Sequence, residues 1–478
     1  MTGVATNCAR RVLPHIRHRA ERPALWTAGE GFLSFAELGQ VAAGAQSIAR
    51  GQGLKAGDSV LLLVAPSPDL FAWILGLLGL GVSVLFVEPW MPVEHIEHVV
   101  RTVRPKAFIS SFAGLAWGAR VGAIRRIPRW TRARRVRRET TGAELRVEDV
   151  DMASPAVITF TSGTTGLPKG IVRTHRYMWD LHDILTRHGS ADAFEGPDLC
   201  VLPNLALLHL GTGRGSVLVP GDWGNAGLSA IARLPATSQP ETLSCGPAFL
   251  IQLLRFVQRQ PSYASLKSVY VGGALTDRWI LERATEQWRD TGFTHVYGGT
   301  EAEPVAHSDA RQSVRVCRDR GLFQTLHVGD PIPELRTRFS PEGLWVSGSN
   351  VAEHYPEGPA RDGSFPWRCM GDRISEDADG WWFCGRAAQP QAEFDLEQRL
   401  YSALGTSKCF VHRAGDGTLL LFGEGIQKRI RAQGKSLGAV APEIAAVHEV
   451  RIIRDRRHRA RIDRTRTLAA AGVPAKRG

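Results

Sequence analysis

Cysteine, unbroken apolar runs and acidic charge are all in short supply in this 478-residue sequence, and each shortage closes a class of answers. The seven cysteines, Cys8, Cys200, Cys245, Cys317, Cys369, Cys384 and Cys409, are odd in number and scattered, with no C-x-x-C pair. That spacing argues against a disulfide framework or a zinc site and for a reducing, cytoplasmic setting. The most membrane-like stretch, LFAWILGLLGLGVSVLFV between Asp69 and Glu88, is interrupted by Gly76, Gly79 and Gly81 and turns β-branched in its second half. A buried helix, a glycine turn and a buried strand account for it, so no transmembrane segment is expected. The opening residues MTGVATNCARRVLPHIRHRAERP hold no continuous apolar core, so no signal peptide is expected there.

Acidic residues number 47 against 59 lysines and arginines, a formal net charge of +12. Much of the excess is arginine, in RRIPRWTRARRVRR at 125–138 and RIIRDRRHRARIDRTR at 451–466. Such runs suit either an anionic partner or a solvated loop and tail. For 125–138 the solvated loop is preferred and no nucleic-acid partner is expected, because an apolar-poor run specifies neither a groove nor a stacking platform.

What is present in quantity is alternation. SVLLLVA (59–65), VSVLFV (82–87) and KAFISS (106–111) read as strands, separated by the helical stretches DLFAWILGLLGL and EHIEHVVRTV. The rhythm resumes with AVITF (156–160), TLSCG, AFLIQLLRFVQRQ, SVYVGGA, WILERATEQWRDTG and THVYG. Continuous apolar strands alternating with helices predict an α/β fold of parallel sheets with helices on both faces. From about residue 322 shorter strands suggest a small β-rich subdomain. After Arg386 a helix and short strands suggest a separate, mobile α+β domain, giving domains 1–386 and 387–478. In parallel α/β sheets ligands sit beyond the carboxyl ends of the strands. TFTSGTTGLPKG (159–170), GGA (272–274) and YGGTEAEP (297–304) each begin where a strand ends.

The chemistry of these segments is legible by residue type. Glycines free backbone N–H groups to face an anion, and Thr161, Ser162, Thr164 and Thr165 add hydroxyl donors. Lys169 supplies a compact cation suited to a phosphate oxygen. Thr300 and Glu301 offer a hydroxyl for phosphate and a carboxylate for magnesium. Asp372, in MGDRISEDADGWWFCGR, has two oxygens that match the paired hydroxyls of a ribose.

Together, in this order, the three segments resemble the adenylate-forming superfamily of acyl-CoA synthetases, peptide-synthetase adenylation domains and luciferases. The Ser-Gly-Thr-Thr-Gly-x-Pro-Lys-Gly loop is highly specific to that superfamily, and the resemblance runs through essentially the whole chain. It implies that Thr161, Ser162, Gly163, Thr164, Thr165, Gly166 and Lys169 embrace the β- and γ-phosphates of ATP. It also implies that Gly272, Gly273 and Ala274 border adenine with Tyr297 nearby, and that Asp372 and Arg386 meet the ribose. Thr300 is expected at the α-phosphate, Glu301 at Mg2+, and His209, in LPNLALLHLGTG (202–213), near the reacting carboxylate. The implied chemistry is attack of a carboxylate, aliphatic or fatty, on the α-phosphate of ATP to give acyl-AMP and pyrophosphate. Transfer of the acyl group to the thiol of coenzyme A, or to the phosphopantetheine of an acyl carrier protein, would follow.

Two features depart from the superfamily pattern. RDRRHRARIDRTRTL is similar to an Arg-His-Asn-x-Lys-Ile pattern, and on that match the expected lysine is Arg461, which keeps the charge but is planar and broader. After Gly385-Arg386 the family expects a charged hinge and an Ile-Lys-x-x-Gly loop for thioester formation, whereas AAQPQAEFD follows here. Within the superfamily, YGGTEAEPVA, WRCMGD, WWFCGR and RRHRARI resemble the fatty-acid-handling branch that includes the β-lactone synthetases of bacterial olefin biosynthesis. Three readings follow: acyl activation with transfer to a thiol, lactonisation of a β-hydroxy acid without one, and a nucleotide-binding homologue whose catalysis has faded.

Overall fold

The computed structural model describes residues 6–138, 144–161, 167–189, 193–221, 223–260, 263, 265–355, 364–432, 438, 441–455 and 459–473. The chain packs as two compact units. One is Met1–Ser244 with Thr300–Glu303 and Ser347–Trp367; the other is Cys245–Gly299 with Pro304–Val346 and Arg368–Gly478.

In the first unit, among the described residues, seven strands form a sheet in the order Glu353–Tyr355, Lys169–Thr174, Pro155–Thr161, Ser83–Leu85, Ser59–Leu63, Ala107–Ser110, Arg129–Arg132. The last five in that order are parallel, and the first two join antiparallel. Strand alternation sends successive side chains to opposite faces, and both faces are clothed here. Val60 and Leu62 pack with the helices Phe35–Gly51 and Pro68–Gly79, whereas Leu61 packs with Val93–Val103. Burying each such side chain contributes roughly 1.5–3 kcal/mol.

The helix Phe35–Gly51 starts at Ser34, whose side chain accepts from the Glu37 N–H while Glu37 accepts from the Ser34 N–H. The stretch 69–80, read from sequence as a buried helix, forms the helix Pro68–Gly79, with every residue buried. Gly76 explains how closely it approaches its neighbour: a Cβ there would stand 2.7 Å from the Ala42 carbonyl oxygen and 2.9 Å from Ala45 Cβ. Trp73, fully buried, satisfies its indole N–H on the Ala133 carbonyl at 2.9 Å. Among the described residues no helix is long and apolar enough to cross a membrane.

The arginine run departs from the expected solvated loop. Arg129–Arg132 is an edge strand paired in parallel with Ala107–Ser110. Trp130 packs edge-on against Phe108, and Thr131 and Ala133 are buried. Trp130 and Thr131 pack on opposite faces of this strand, and Arg129 and Arg132 at its two ends charge the exposed edge and blunt it against pairing. A second set of strands in this unit runs Gly31–Ser34, Pro23–Thr27, Ser216–Leu218, Asp198–Cys200, Thr242–Cys245.

In the second unit the strands run Ser268–Gly272, Gly292–Gly299, Ala302–Asp309 (from Pro304 on), His327–Pro331, Gly380–Arg386, Asp372–Asp377. The helix Arg278–Gln287 is followed by Trp288, buried, its indole donating to the Tyr263 carbonyl at 3.1 Å. Past Arg386 the strands Cys409–Arg413, Leu419–Gly423 and Ile444–Glu449 make a small sheet. Val411 and Leu421 pack with the helix Gln391–Leu404, while Phe410 and Phe422 pack with Leu468 of the helix Arg464–Ala470. The chain is thus mixed α/β, with large parallel sheets first and a smaller α+β part last.

Candidate active site

Each motif does lie at a strand terminus: Thr161, Gly272 and Gly299 are the last residues of their strands. In the first unit Thr161 stands opposite Lys169 in the antiparallel register. Ser162, Gly163, Thr164, Thr165 and Gly166, between them in sequence, lie outside the described residues. Lys169 is exposed, at the start of the strand that leaves the loop.

The Thr300–Glu301 turn is fastened to that exit strand through one intermediary. The Glu301 carbonyl accepts from the Ala352 N–H at 2.8 Å, Ala302 bridges to Val351, and Asn350 Nδ2 donates to the Glu303 carbonyl at 3.2 Å. The residues immediately after, Glu353–Tyr355, pair with Val172, Ile171 and Gly170. Backbone hydrogen bonds therefore carry the position of Lys169 to that of Glu301 inside a single unit. A direct brace also exists, which the sequence reading did not identify. Arg173 Nη1 donates to Thr159 Oγ1 at 3.0 Å, and its Nη2 donates to the Thr300 carbonyl at 3.3 Å. The Glu303 and Glu301 carboxylates and the Tyr177 hydroxyl favour its charged form, against the cost of its burial. Its one sequence signal is a charge interrupting the apolar strand GIVRT.

His209 lies within the helix Pro203–Thr212 and is only 4% exposed. Its Nδ1 stands 3.2 Å from Ser216 Oγ and 3.8 Å from Asp198 Oδ2. Burial, with the nearby Arg214 cation, pushes the imidazole down to about 3, so it is neutral at pH 7 and makes no ion pair with the aspartate. Asp198 is pushed up to about 6 by burial, although Thr242 Oγ1 donates to it at 2.6 Å and Arg214 is close by. Arg214 in turn donates to Thr242 Oγ1 at 2.9 Å and to the Gly196 carbonyl at 3.0 Å. Ser216, His209 and Asp198 are all buried from solvent.

In the second unit Gly272 pairs with Val296, and a Cβ on Gly272 would stand 2.9 Å from the Val296 carbonyl. Gly273 follows at φ +82°, a conformation side chains disfavour, and Ala274 comes next. Tyr297 donates its hydroxyl to Asp372 Oδ2 at 2.6 Å, and Arg386 Nη1 stands 2.8 Å from Oδ1. Asp372 and Arg386 are cross-strand partners, which brings three of the expected nucleotide residues together around one buried carboxylate. Arg461 adjoins the Arg454–Ile462 bridge, and its carbonyl accepts from the Asp455 N–H at 2.9 Å. Its Nη2 donates to the Gly273 carbonyl at 2.9 Å, so the residue expected in the lysine position reaches the segment expected to border adenine. Arg373, also unforeseen, donates to the Ala387 carbonyl at 3.2 Å and the Gln389 carbonyl at 2.7 Å, gripping the stretch where a charged hinge was expected.

Residues 14–355, well over half of the chain, match the family of AMP-binding enzymes. The chain is 26% identical over 425 residues to an olefin beta-lactone synthetase of Xanthomonas campestris pv. campestris, covering 74% of this chain and 72% of that one. It is also 26% identical over 406 residues to a phenyloxazoline synthase of Mycolicibacterium paratuberculosis, covering 79% of this chain but spanning only 33% of that protein's length. Among solved structures, an anthranilate CoA ligase in complex with anthranoyl-AMP aligns with a TM-score of 0.77 over 98% of both chains. Its identity of 16% shows the fold alone. With the fold, the strand-end motifs and the family match agreeing, the chain belongs to the AMP-binding enzyme family, the adenylate-forming enzymes its sequence resembles.

Proposed function

We propose that this chain joins an aliphatic carboxylic acid to AMP with ATP, releases pyrophosphate, and passes the acyl group to the thiol of coenzyme A or of a carrier protein. A carboxylate oxygen attacks the α-phosphorus and the bond to the bridging oxygen breaks, so the β- and γ-phosphates leave together. Both reactants are anions, so fixed positive charge and donors are what such a reaction needs. In the first unit Lys169 and the Thr161–Gly166 segment are assigned to the departing phosphates, Thr300 to the α-phosphate, and Glu301 to magnesium. In the second unit Asp372 and Arg386 are assigned to the ribose, and Gly272, Gly273, Ala274 and Tyr297 to the base. Arg461 is assigned the charge that lysine carries in the superfamily pattern.

The residues fit a magnesium ion that arrives on its nucleotide. Among the described residues no cluster of three or more His, Cys, Asp or Glu side chains could hold a metal. Magnesium borne by phosphates needs only one or two protein carboxylates, its remaining positions being water and phosphate oxygen. Glu301, held against Ala352 and beside the loop-exit strand, suits that demand. The observation that carries the proposal is this linkage of Lys169 to Thr300–Glu301 within the segment that matches the family. His209, neutral and interior, is assigned to shaping the unit around the acid rather than to proton transfer.

A second reading has its own support. Similarity to the olefin beta-lactone synthetase covers most of both chains, and the thioester loop pattern is missing after Arg386. In that reading a β-hydroxyl attacks the acyl carbonyl of the adenylate and AMP leaves, with no thiol. ATP–pyrophosphate exchange over a panel of aliphatic, β-hydroxy and aromatic acids tests both. Exchange with aliphatic acids and thiol-dependent AMP release is the expected result. Thiol-independent release confined to β-hydroxy acids replaces it with the lactone reading. No exchange with any acid removes both and leaves a nucleotide-binding homologue.

A further inference from the structure

We infer that Arg173 is a positioning residue for the magnesium–nucleotide complex: its guanidinium sets Thr300–Glu301 at a fixed distance from the strands flanking the glycine-rich loop. The inference rests on the adenylation reading above. Arg173 lies four residues beyond Lys169 on the loop-exit strand, so the two-residue period of a strand puts both on one side. One nitrogen donates to Thr159 Oγ1, on the entry strand two residues before Thr161. The other donates to the carbonyl of Thr300. That carbonyl belongs to the peptide whose N–H is Glu301's own, so fixing its plane fixes the direction in which both Thr300 and Glu301 leave the backbone.

The guanidinium stands 5.7 Å from the centre of the Tyr177 ring, which belongs to the first turn of the helix His175–Gly189. It is therefore supported by the strand before the loop, the Thr-Glu turn and the helix that follows. The backbone route through Ala352 places the turn relative to the exit strand without Arg173. What Arg173 adds is the direct span to the entry strand, which needs two donors at a fixed angle. A planar fork supplies that and a single ammonium does not. Glu301 and Glu303 both act on its charge, so the guanidinium also offsets the negative charge of both carboxylates.

The readout is ATP affinity in the full chain by calorimetry, with Mg2+ and with EDTA, whose ratio measures what the metal adds. In the wild type the ratio favours Mg2+, and Glu301→Gln abolishes the gain. Arg173→Lys and Arg173→Met are expected to cut the gain about tenfold, leave affinity in EDTA within about twofold, and add nothing when combined with Glu301→Gln. If Arg173→Met does not fold, Thr159→Val removes one anchor while keeping the charge and must reduce the gain in the same direction. A purely structural role would lower the melting temperature and leave the ratio alone, and an unchanged ratio in Arg173→Lys overturns the inference. A wild type that binds no ATP in either condition overturns the adenylation reading itself, so the two failures are distinct.

Discussion

Two arginines do different work with the same group. Arg173 spans a hydroxyl and a carbonyl inside the first unit, while Arg461 reaches from an exposed turn to the Gly273 carbonyl. The difference lies in what each neighbour offers: Arg173 uses both ends of its fork, whereas Arg461 uses one nitrogen, at the position where the sequence match expects a lysine. A lysine concentrates its charge on one strongly hydrated atom that can approach a single phosphate oxygen. Arg461→Lys is therefore expected to raise the rate of ATP–pyrophosphate exchange, by about tenfold for a barrier lowered ~1.4 kcal/mol. A rate equal to that of the parent would count against placing Arg461 in the lysine position.

At the scale of elements, the stretch after Arg386 is held more firmly than its composition suggests. Ala387, Gln389 and Pro390 carry no charge, yet Arg373 grips the carbonyls of Ala387 and Gln389. The Ala387 N–H donates to the Gly371 carbonyl at 2.9 Å, and Gln389 Nε2 donates to Glu397 Oε2 at 3.2 Å. A segment whose backbone is bonded in this way opens rarely. Arg373→Ala is expected to speed amide hydrogen exchange across 387–389 by at least about tenfold while leaving the strand Gly380–Arg386 protected. Unaltered exchange in those peptides would show that the clamp contributes nothing to their order. The same element carries the departure from the superfamily's thioester pattern, so a comparison of AMP release with and without thiol in Arg373→Ala reads its functional weight directly.

At the scale of the whole molecule, buried histidines set the response to acid. His175, His209 and His295 are buried, and burial pushes them down to about 4, about 3 and about 4. The unfolded chain takes up these protons near 6.5, before the native state does, so stability is present above about pH 6.5 and is lost as pH falls toward 4. At the acidic limit each imidazole costs on the order of 3 kcal/mol of stability. Asp198 works the other way: pushed up to about 6, it binds its proton earlier in the native state and adds stability as pH falls through that value. His182, also pushed down to about 4 by burial, adds to the loss, while burial raises Asp180 and Asp277 as it does Asp198; the strongly shifted imidazoles outweigh these carboxyls and give a net loss. The melting temperature at pH 5 is expected to lie several degrees below that at pH 7.5; a flat or rising profile over that range would refute the assignment.

How much of this was legible in the residues follows from range. The α/β class, the buried helix at 68–79 and the strand-end motifs needed only local periodicity and glycine placement, which act over a few neighbours, and they read correctly. The strand Arg129–Arg132 did not, because composition dominated the run and its inward face shows only once Phe108 is there to receive Trp130. Arg173 and Arg373 were missed for the same reason: their partners Thr300 and Gln389 are remote in sequence or carry only a backbone carbonyl. That His209 is neutral and in contact with Ser216 and Asp198 was likewise invisible in the sequence, because burial and those partners arise only on folding. The sequence by itself determined the family and the order of chemical groups along the chain, because those depend on residue type and spacing. Which of those groups are braced together, and which ones burial makes neutral, was decided by tertiary structure, since hydrogen-bond distance and desolvation exist only once distant segments meet.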